Sequence, residues 1–208
     1  MSAIHLERGD PRIALPFELE ILEHNIELGA KHQNVPQHIH CGTLYLQLGN
    51  PQEALAHFRA AARLSREIGY TRFEGQALTS VGISLELLGD PAEAAEAYRR
   101  AVEVLETAHE EFGVEEAIRA KADVLAFLGR VLHRSLDWQD EAQKAYEAAA
   151  DIYRETSDVP RLQDLLLNLS GLRWRAGNSK APPAATKKPL TWRVCTATPT
   201  RRPQPWQA

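Results

Sequence analysis

The stretch Gly42-Thr43-Leu44-Tyr45-Leu46-Gln47-Leu48-Gly49-Asn50-Pro51-Gln52-Glu53-Ala54-Leu55-Ala56-His57-Phe58 returns forty residues later. The second copy is Gly82-Ile83-Ser84-Leu85-Glu86-Leu87-Leu88-Gly89-Asp90-Pro91-Ala92-Glu93-Ala94-Ala95-Glu96-Ala97-Tyr98. Gly9-Asp10-Pro11 stands at the same interval before Gly49, and Ala14 follows Gly9 as Ala54 and Ala94 follow their glycines. Each triplet reads as a tight turn between antiparallel helices. Glycine relieves strain where one helix ends, Asp or Asn caps the next, and proline occupies its first turn, where a missing N–H costs nothing. Asp90-x-x-Glu93 adds the pattern of a capping box.

Downstream the pattern loosens. Gly129, Ala142, Tyr146 and Ala149 repeat Gly82, Ala94, Tyr98 and Ala101 at an interval of forty-seven residues. The turn is Ser135–Trp138, and the added length around Thr107–Lys121 reads as longer flanking helices. A fifth copy starts at Leu165, passes Gly171 and Trp174 and ends at Gly177-Asn178. At the other end, Met1–Arg8 is half a leading helix, so both ends are expected to cut through a unit, leaving uncapped faces for a partner or a second copy. The next leading helix is expected to start at Asn34-Val35-Pro36. Gly42, Gly82 and Gly129, with Ala54, Ala94 and Ala142, are expected to let paired helices approach closely. Tyr45, Phe58, Leu85, Tyr98, Leu132 and Tyr146 would fill the space between layers. One such unit cannot bury its apolar face alone, so units must stack into a curved rod with a concave side.

Of the 208 residues, 44% are hydrophobic and 7% aromatic, with abundant Ala, Leu and Glu, a composition for helices. No run approaches the roughly 18 apolar residues of a membrane span. The N-terminus lacks the layout of a signal peptide. Cys41 and Cys195 sit in unlike contexts and suggest a reducing cytoplasm. Residues 179–208 carry Lys180, Lys187, Lys188, Arg193, Arg201 and Arg202, no acid, and six of the twelve prolines. This segment is expected to be a disordered basic tail. The first 178 residues hold the other 18 basic residues against all 28 acidic ones, a balance of −10. An acidic body argues against nucleic acid as the main partner. The tail is a candidate to fold back on that body as a salt-sensitive inhibitor.

With Gly42…Tyr45…Gly49…Ala54…Phe58…Ala61 and Gly82…Leu85…Gly89…Ala94…Tyr98…Ala101, the chain resembles the tetratricopeptide repeats. The familiar unit has about 34 residues. The longer period is similar to the variant in kinesin light chains and in the sensor halves of bacterial regulators and signalling ATPases. The resemblance implies an all-α fold, a right-handed α-solenoid of about nine helices in antiparallel pairs. It would cover residues 1–178 in units of roughly 1–32, 33–70, 71–113, 114–157 and a partial 158–178.

It also implies a protein- or peptide-binding scaffold or sensor, part of a regulatory system, in which the leading helices line the concave groove. Groove positions are then Ile39, Thr43 and Gln47, followed by Gln76, Thr79, Ile83 and Glu86. The later layers supply Asp123, Ala126, Arg130 and His133, then Asn168, Leu172 and Arg175. Arg130, His133, Arg134, Arg173 and Arg175 make that half basic, a candidate clamp for carboxylates. The asparagine-and-lysine clamp of chaperone-binding relatives has no match.

Two rival readings remain at this point. One is a regulator whose groove closes on a small signalling peptide. The other is a metal-dependent enzyme built on His32, His38, His40 and Cys41, whose residue types suit zinc. On a helix, however, His38, His40 and Cys41 point in different directions. The sequence has no Gly-x-Ser-x-Gly, no phosphate-cradling loop and no His-Glu-x-x-His. Neither catalysis, a cofactor nor a metal is therefore expected.

Overall fold

The computed structural model describes residues 10–107, 113–134 and 138–177. Eight helices run through them: α1 Pro11–Glu27, α2 Lys31–Gln47, α3 Pro51–Ile68, α4 Thr71–Leu88, α5 Pro91–Thr107, α6 Val114–His133, α7 Gln139–Glu155 and α8 Val159–Gly177. Every element among the described residues is helical. The half-helix expected at Met1–Arg8 and the tail expected at 179–208 lie outside them.

Each helix packs on its neighbours in sequence. The backbones of the leading helices α2, α4, α6 and α8 also come close to one another from layer to layer, whereas those of α1, α3, α5 and α7 stay farther apart. A stack whose one row is more closely spaced than the other must bend toward the close row. The all-α solenoid of helix pairs is therefore present, with the leading helices inside the curve.

The turns explain the regularity. Gly29, Gly49, Gly69 and Gly89 have φ of 65°, 78°, 76° and 90°, the left-handed region that only glycine enters freely. The chain then closes each helix with paired backbone bonds, for example Asn50 N–H to Tyr45 O at 2.9 Å and Tyr70 N–H to Ser65 O at 2.8 Å. Asp10 caps α1 through its side chain, accepting from Arg12 N–H at 2.9 Å. Asn50 makes no side-chain cap, contrary to the expectation, and serves through its carbonyl, which accepts from Ala54 N–H. Glu93 does not fold back on its own helix; its carboxylate lies 3.3 Å from Arg59 of the preceding layer.

Two further expectations need correction. The second leading helix begins at Lys31, not Asn34, so His32 lies within it and Pro36 sits in its interior. Pro36 and the matching Pro16 of α1 are solvent-exposed, where water can take the carbonyl that each proline leaves unbonded. The added length near residue 114 lengthens α6 to 20 residues but not α5, which has 17; residues 108–112 fall outside the described part.

At the turn before α8, Ser157 holds the left-handed position with φ 55° and makes the same closing bonds, with Asp158 N–H on Tyr153 O at 2.9 Å. A side chain in that region carries a steric penalty. Ser157→Gly should raise stability by about 0.5–1 kcal/mol, read as a higher denaturation midpoint. An unchanged or lower midpoint would show that the serine is not strained there.

Candidate functional site

The helix-pair interior is built on glycine against a ring. A Cβ on Gly42 would come within 2.6 Å of the Phe58 ring, one on Gly129 within 2.6 Å of Tyr146, and one on Gly82 would overlap Tyr98. Phe58, Tyr98 and Tyr146 are completely buried. The close approach expected of Gly42, Gly82 and Gly129 is thus met, and Leu85 and Leu132 join the core, while Tyr45 is only half-buried.

The seam between α4/α5 and α6/α7 carries the most developed polar cluster. Tyr98 donates its hydroxyl to Glu86 Oε1 at 2.6 Å, and Arg130 Nη2 donates to the same oxygen at 2.9 Å. The Glu86 carboxylate is 9% exposed. Arg130 also lies over Phe127, 4.9 Å from the ring centroid. Burial, then the Glu86 charge, pushes the Tyr98 phenol well above its ordinary range, so it stays a donor. Burial likewise moves Tyr146 up to about 12. One layer on, Tyr153 donates to Asp123 at 2.7 Å, and Arg161 pairs with Asp123 at 3.0 Å.

These contacts sort the groove candidates. Glu86, Asp123 and Arg130 are engaged across layers, so they act as ties in the stack. Thr43, Gln47, Gln76 and Asn168 are exposed; Thr79, Ile83 and His133 are half-buried. The Thr43 and Thr79 hydroxyls bond carbonyls of their own helices, Ile39 O and Gly75 O, both at 2.8 Å. Ile39 and Leu172, expected in the groove, are core residues. The basic clamp is not assembled as expected: Arg130 is held by Glu86, and Arg173 reaches Glu147 on α7 at 2.9 Å. The Arg175 side chain falls outside the described part. Arg130, His133 and Asn168 do meet, with Arg134, Tyr146, Gly171 and Trp174, around an open depression of about 400 Å³.

The four candidate zinc ligands do not converge on one point. His32 stands edge-on to Tyr70, with ring centroids 5.0 Å apart. His40 Nδ1 faces Glu18 at 3.5 Å. Cys41 is in the core, its thiol pushed up to about 12 by burial and by Glu18. His38 Nδ1 is 3.1 Å from His57 Nδ1, and His57 stacks on Tyr45. Two nitrogens at that distance share one proton, so one ring donates and the other accepts, both neutral.

Burial, then His57 and Arg63, lowers His38 to about 4, and burial lowers His57. The folded state therefore resists protons that the unfolded chain accepts below its ordinary pKa of about 6.5. Stability should fall between pH 6.5 and 4 and level off below, by about 1–2 kcal/mol once solvent screening of the half-buried pair is discounted. Denaturation midpoints across that range, with His38→Phe beside the parent, check this. An equally steep acid loss in His38→Phe would assign it elsewhere.

Residues 38–107, from within α2 to the end of α5, match the family model described as tetratricopeptide repeat. Over those residues the helix pairs are similar to tetratricopeptide repeats. The stacking continues beyond the matched repeats: the crystal structure of BtubC (BKLC) from P. vanneervenii is similar over 86% of this chain and 71% of that one, with 21% identity and a TM-score of 0.72. A kinesin light chain structure of nearly identical TPR-like repeats from Podosopora anserina aligns over 85% of this chain and 93% of its own, at 13% identity and a TM-score of 0.45. No curated protein matches the sequence. Tetratricopeptide repeats generally mediate protein–protein interaction and are typically non-enzymatic scaffolds. No helix among the described residues is long and apolar enough to cross a membrane.

Proposed function

We propose that this chain is a protein- or peptide-binding scaffold of a cytoplasmic regulatory system, gripping its partner along the inner row of leading helices. The observation that carries the reading is the close mutual approach of α2, α4, α6 and α8, which makes one continuous inner face out of four separate helices. Thr43, Gln47, Gln76, Thr79, Ile83, His133 and Asn168 are the contact residues of that face. Glu86, Asp123 and Arg130 hold the helices at the spacing the partner reads. Exposed amides suit this task, because they bond an extended or helical backbone without requiring a particular charge. Units of roughly 33–70, 71–113 and 114–157 then form the binding surface, and no catalytic step is assigned to it.

A photo-crosslinking side chain placed at Gln47 or Gln76 should trap a discrete polypeptide in cells. The same group at exposed Lys144, on the outer helix α7, should not trap that polypeptide. Trapping at Lys144 alone, or equally at all three positions, would refute an inner binding face.

A further inference from the structure

The outer helices α3 and α5 leave an open wedge between them, with a volume of about 380 Å³. Leu78, Val81 and Leu85 of α4 form its floor, beside Ala62 of α3 and Ala97 of α5. Solvent barely reaches that floor, since the three side chains are 4%, 6% and 3% exposed. The slot is therefore too narrow for a helix about 10 Å across. It admits a single apolar side chain.

The rim carries positive charge in excess. Its three carboxylates are all engaged: Glu67 with Lys31 at 3.1 Å, Glu93 with Arg59 at 3.3 Å and Glu96 with Arg99 at 3.4 Å. Arg66 is held by Glu74 at 2.6 Å. Arg63 of α3 and Arg100 of α5 remain, both exposed, on opposite walls and with no carboxylate partner among the described residues. The charge of Arg63 acts on His38, whose protonation it opposes. The repeat itself does not demand these two arginines. One layer earlier the same positions hold Glu23 and Ala60, and one layer later they hold Glu103 and Ala148. Of these three outer wedges, this one alone has arginine at both.

We propose that this wedge docks an extended segment of another polypeptide in which an apolar residue stands between two acidic ones. In an extended chain, neighbouring side chains point to opposite sides. The apolar side chain then enters the slot over Leu78, Val81 and Leu85, while the two carboxylates stay at the rim for the long arms of Arg63 and Arg100. Guanidinium grips a carboxylate with two parallel donors, so the pair selects acids over other polar groups. A free small molecule suits the place less well. Such ligands need most of their surface enclosed, and the wedge is open to solvent. The surface belongs to the outer helices, so it stands whether or not the inner row binds a partner.

The probe is a fluorescein-labelled peptide, Ser-Gly-Glu-Leu-Glu-Gly-Ser, whose anisotropy is followed as the full chain is titrated in at low salt. Binding should saturate. Replacing its leucine by glycine, or both its glutamates by glutamine, should weaken binding roughly tenfold, or about 1.4 kcal/mol. The double variant Arg63→Glu/Arg100→Ala carries what both flanking wedges carry. It should keep the parent's helical circular-dichroism spectrum and lose the peptide by a similar factor. Should it unfold, Arg100→Ala alone, at an exposed helix position that favours alanine, reads the same loss. Gln76→Ala on the inner row should bind as the parent does. Absence of saturable binding overturns the proposal, as does equal binding of the leucine-free peptide or full binding to the folded arginine variants. Loss of binding in Gln76→Ala with retention in the arginine variants would move the peptide to the inner row, and so overturns it too.

Discussion

Tyr98→Ala should lower the stability of the folded chain by about 3–5 kcal/mol, the range for truncating a fully buried aromatic side chain. The ring fills the space over Gly82, touches Phe127 of the next layer and lends its hydroxyl to Glu86. Its removal opens a cavity at the meeting point of three helices, and the nearly buried carboxylate loses a donor. Tyr98→Phe separates the two parts. It keeps the ring and deletes the hydrogen bond, at about 1–2 kcal/mol, since an acceptor in a dry site is left one donor short. Denaturant titration of the three proteins gives both numbers. Equal losses for the two variants would mean that the hydroxyl, not the packing, holds this seam; a loss below about 1 kcal/mol for Tyr98→Ala would mean that the neighbours collapse into the space.

The second large effect is expected at Arg130→Met, about 2–4 kcal/mol, below the full cost of breaking a buried pair because the guanidinium is partly wet. Glu86 would keep its phenol donor but lose the opposing charge, and Phe127 would lose the cation above its face. The double variant Glu86→Leu/Arg130→Met should recover most of the loss, because two apolar side chains of similar reach can fill a place that one uncompensated carboxylate cannot. If the double variant is as unstable as the sum of the singles, the pair contributes net attraction and not merely mutual neutralisation. Placing the ring of Tyr98 and the charge of Arg130 in separate variants is informative because both act on one oxygen of Glu86, so their effects must couple.

Much of this architecture was legible in the residues. The triplets Gly49-Asn50-Pro51 and Gly89-Asp90-Pro91 announce their turns, and Gly42, Gly82 and Gly129 announce close helix contact, because each uses a backbone property that other residues lack. A finer rhythm was there to be read: Gly29, Gly49, Gly69 and Gly89 stand twenty residues apart, one per helix. Gly29 and Gly69 are less legible because no Asp-Pro follows them, and Pro36 points to a helix start later than the actual one at Lys31. The ties Glu86–Arg130 and Asp123–Arg161 were not legible. They join residues 44 and 38 positions apart, neither of them the forty-residue period, and the first pair spans the stretch where the repeat lengthens. A general rule offered one hint, that a buried phenol needs a partner; applied to Tyr98, it points to an acid on the facing helix. The four histidine and cysteine residues of α2 do not converge: His32 meets Tyr70, His38 meets His57, and His40 and Cys41 lie near Glu18.

The spacing of the two rows has a mechanical consequence. The inner edge is continuous from α2 to α8, but the outer helices are separated by wedges. The wedge between α3 and α5 has a volume of about 380 Å³, a floor of Leu78, Val81 and Leu85, and rims of arginine and glutamate. Across these gaps the described fasteners are ion pairs, Arg59 to Glu93 at 3.3 Å and Arg99 to Glu141 at 2.8 Å, each worth well under about 1 kcal/mol in water. The stack thus behaves as a fan, stiff along its spine and compliant along its rim. Dissolved salt weakens the rim while leaving the apolar spine intact, so its springiness is set by the ionic medium around it.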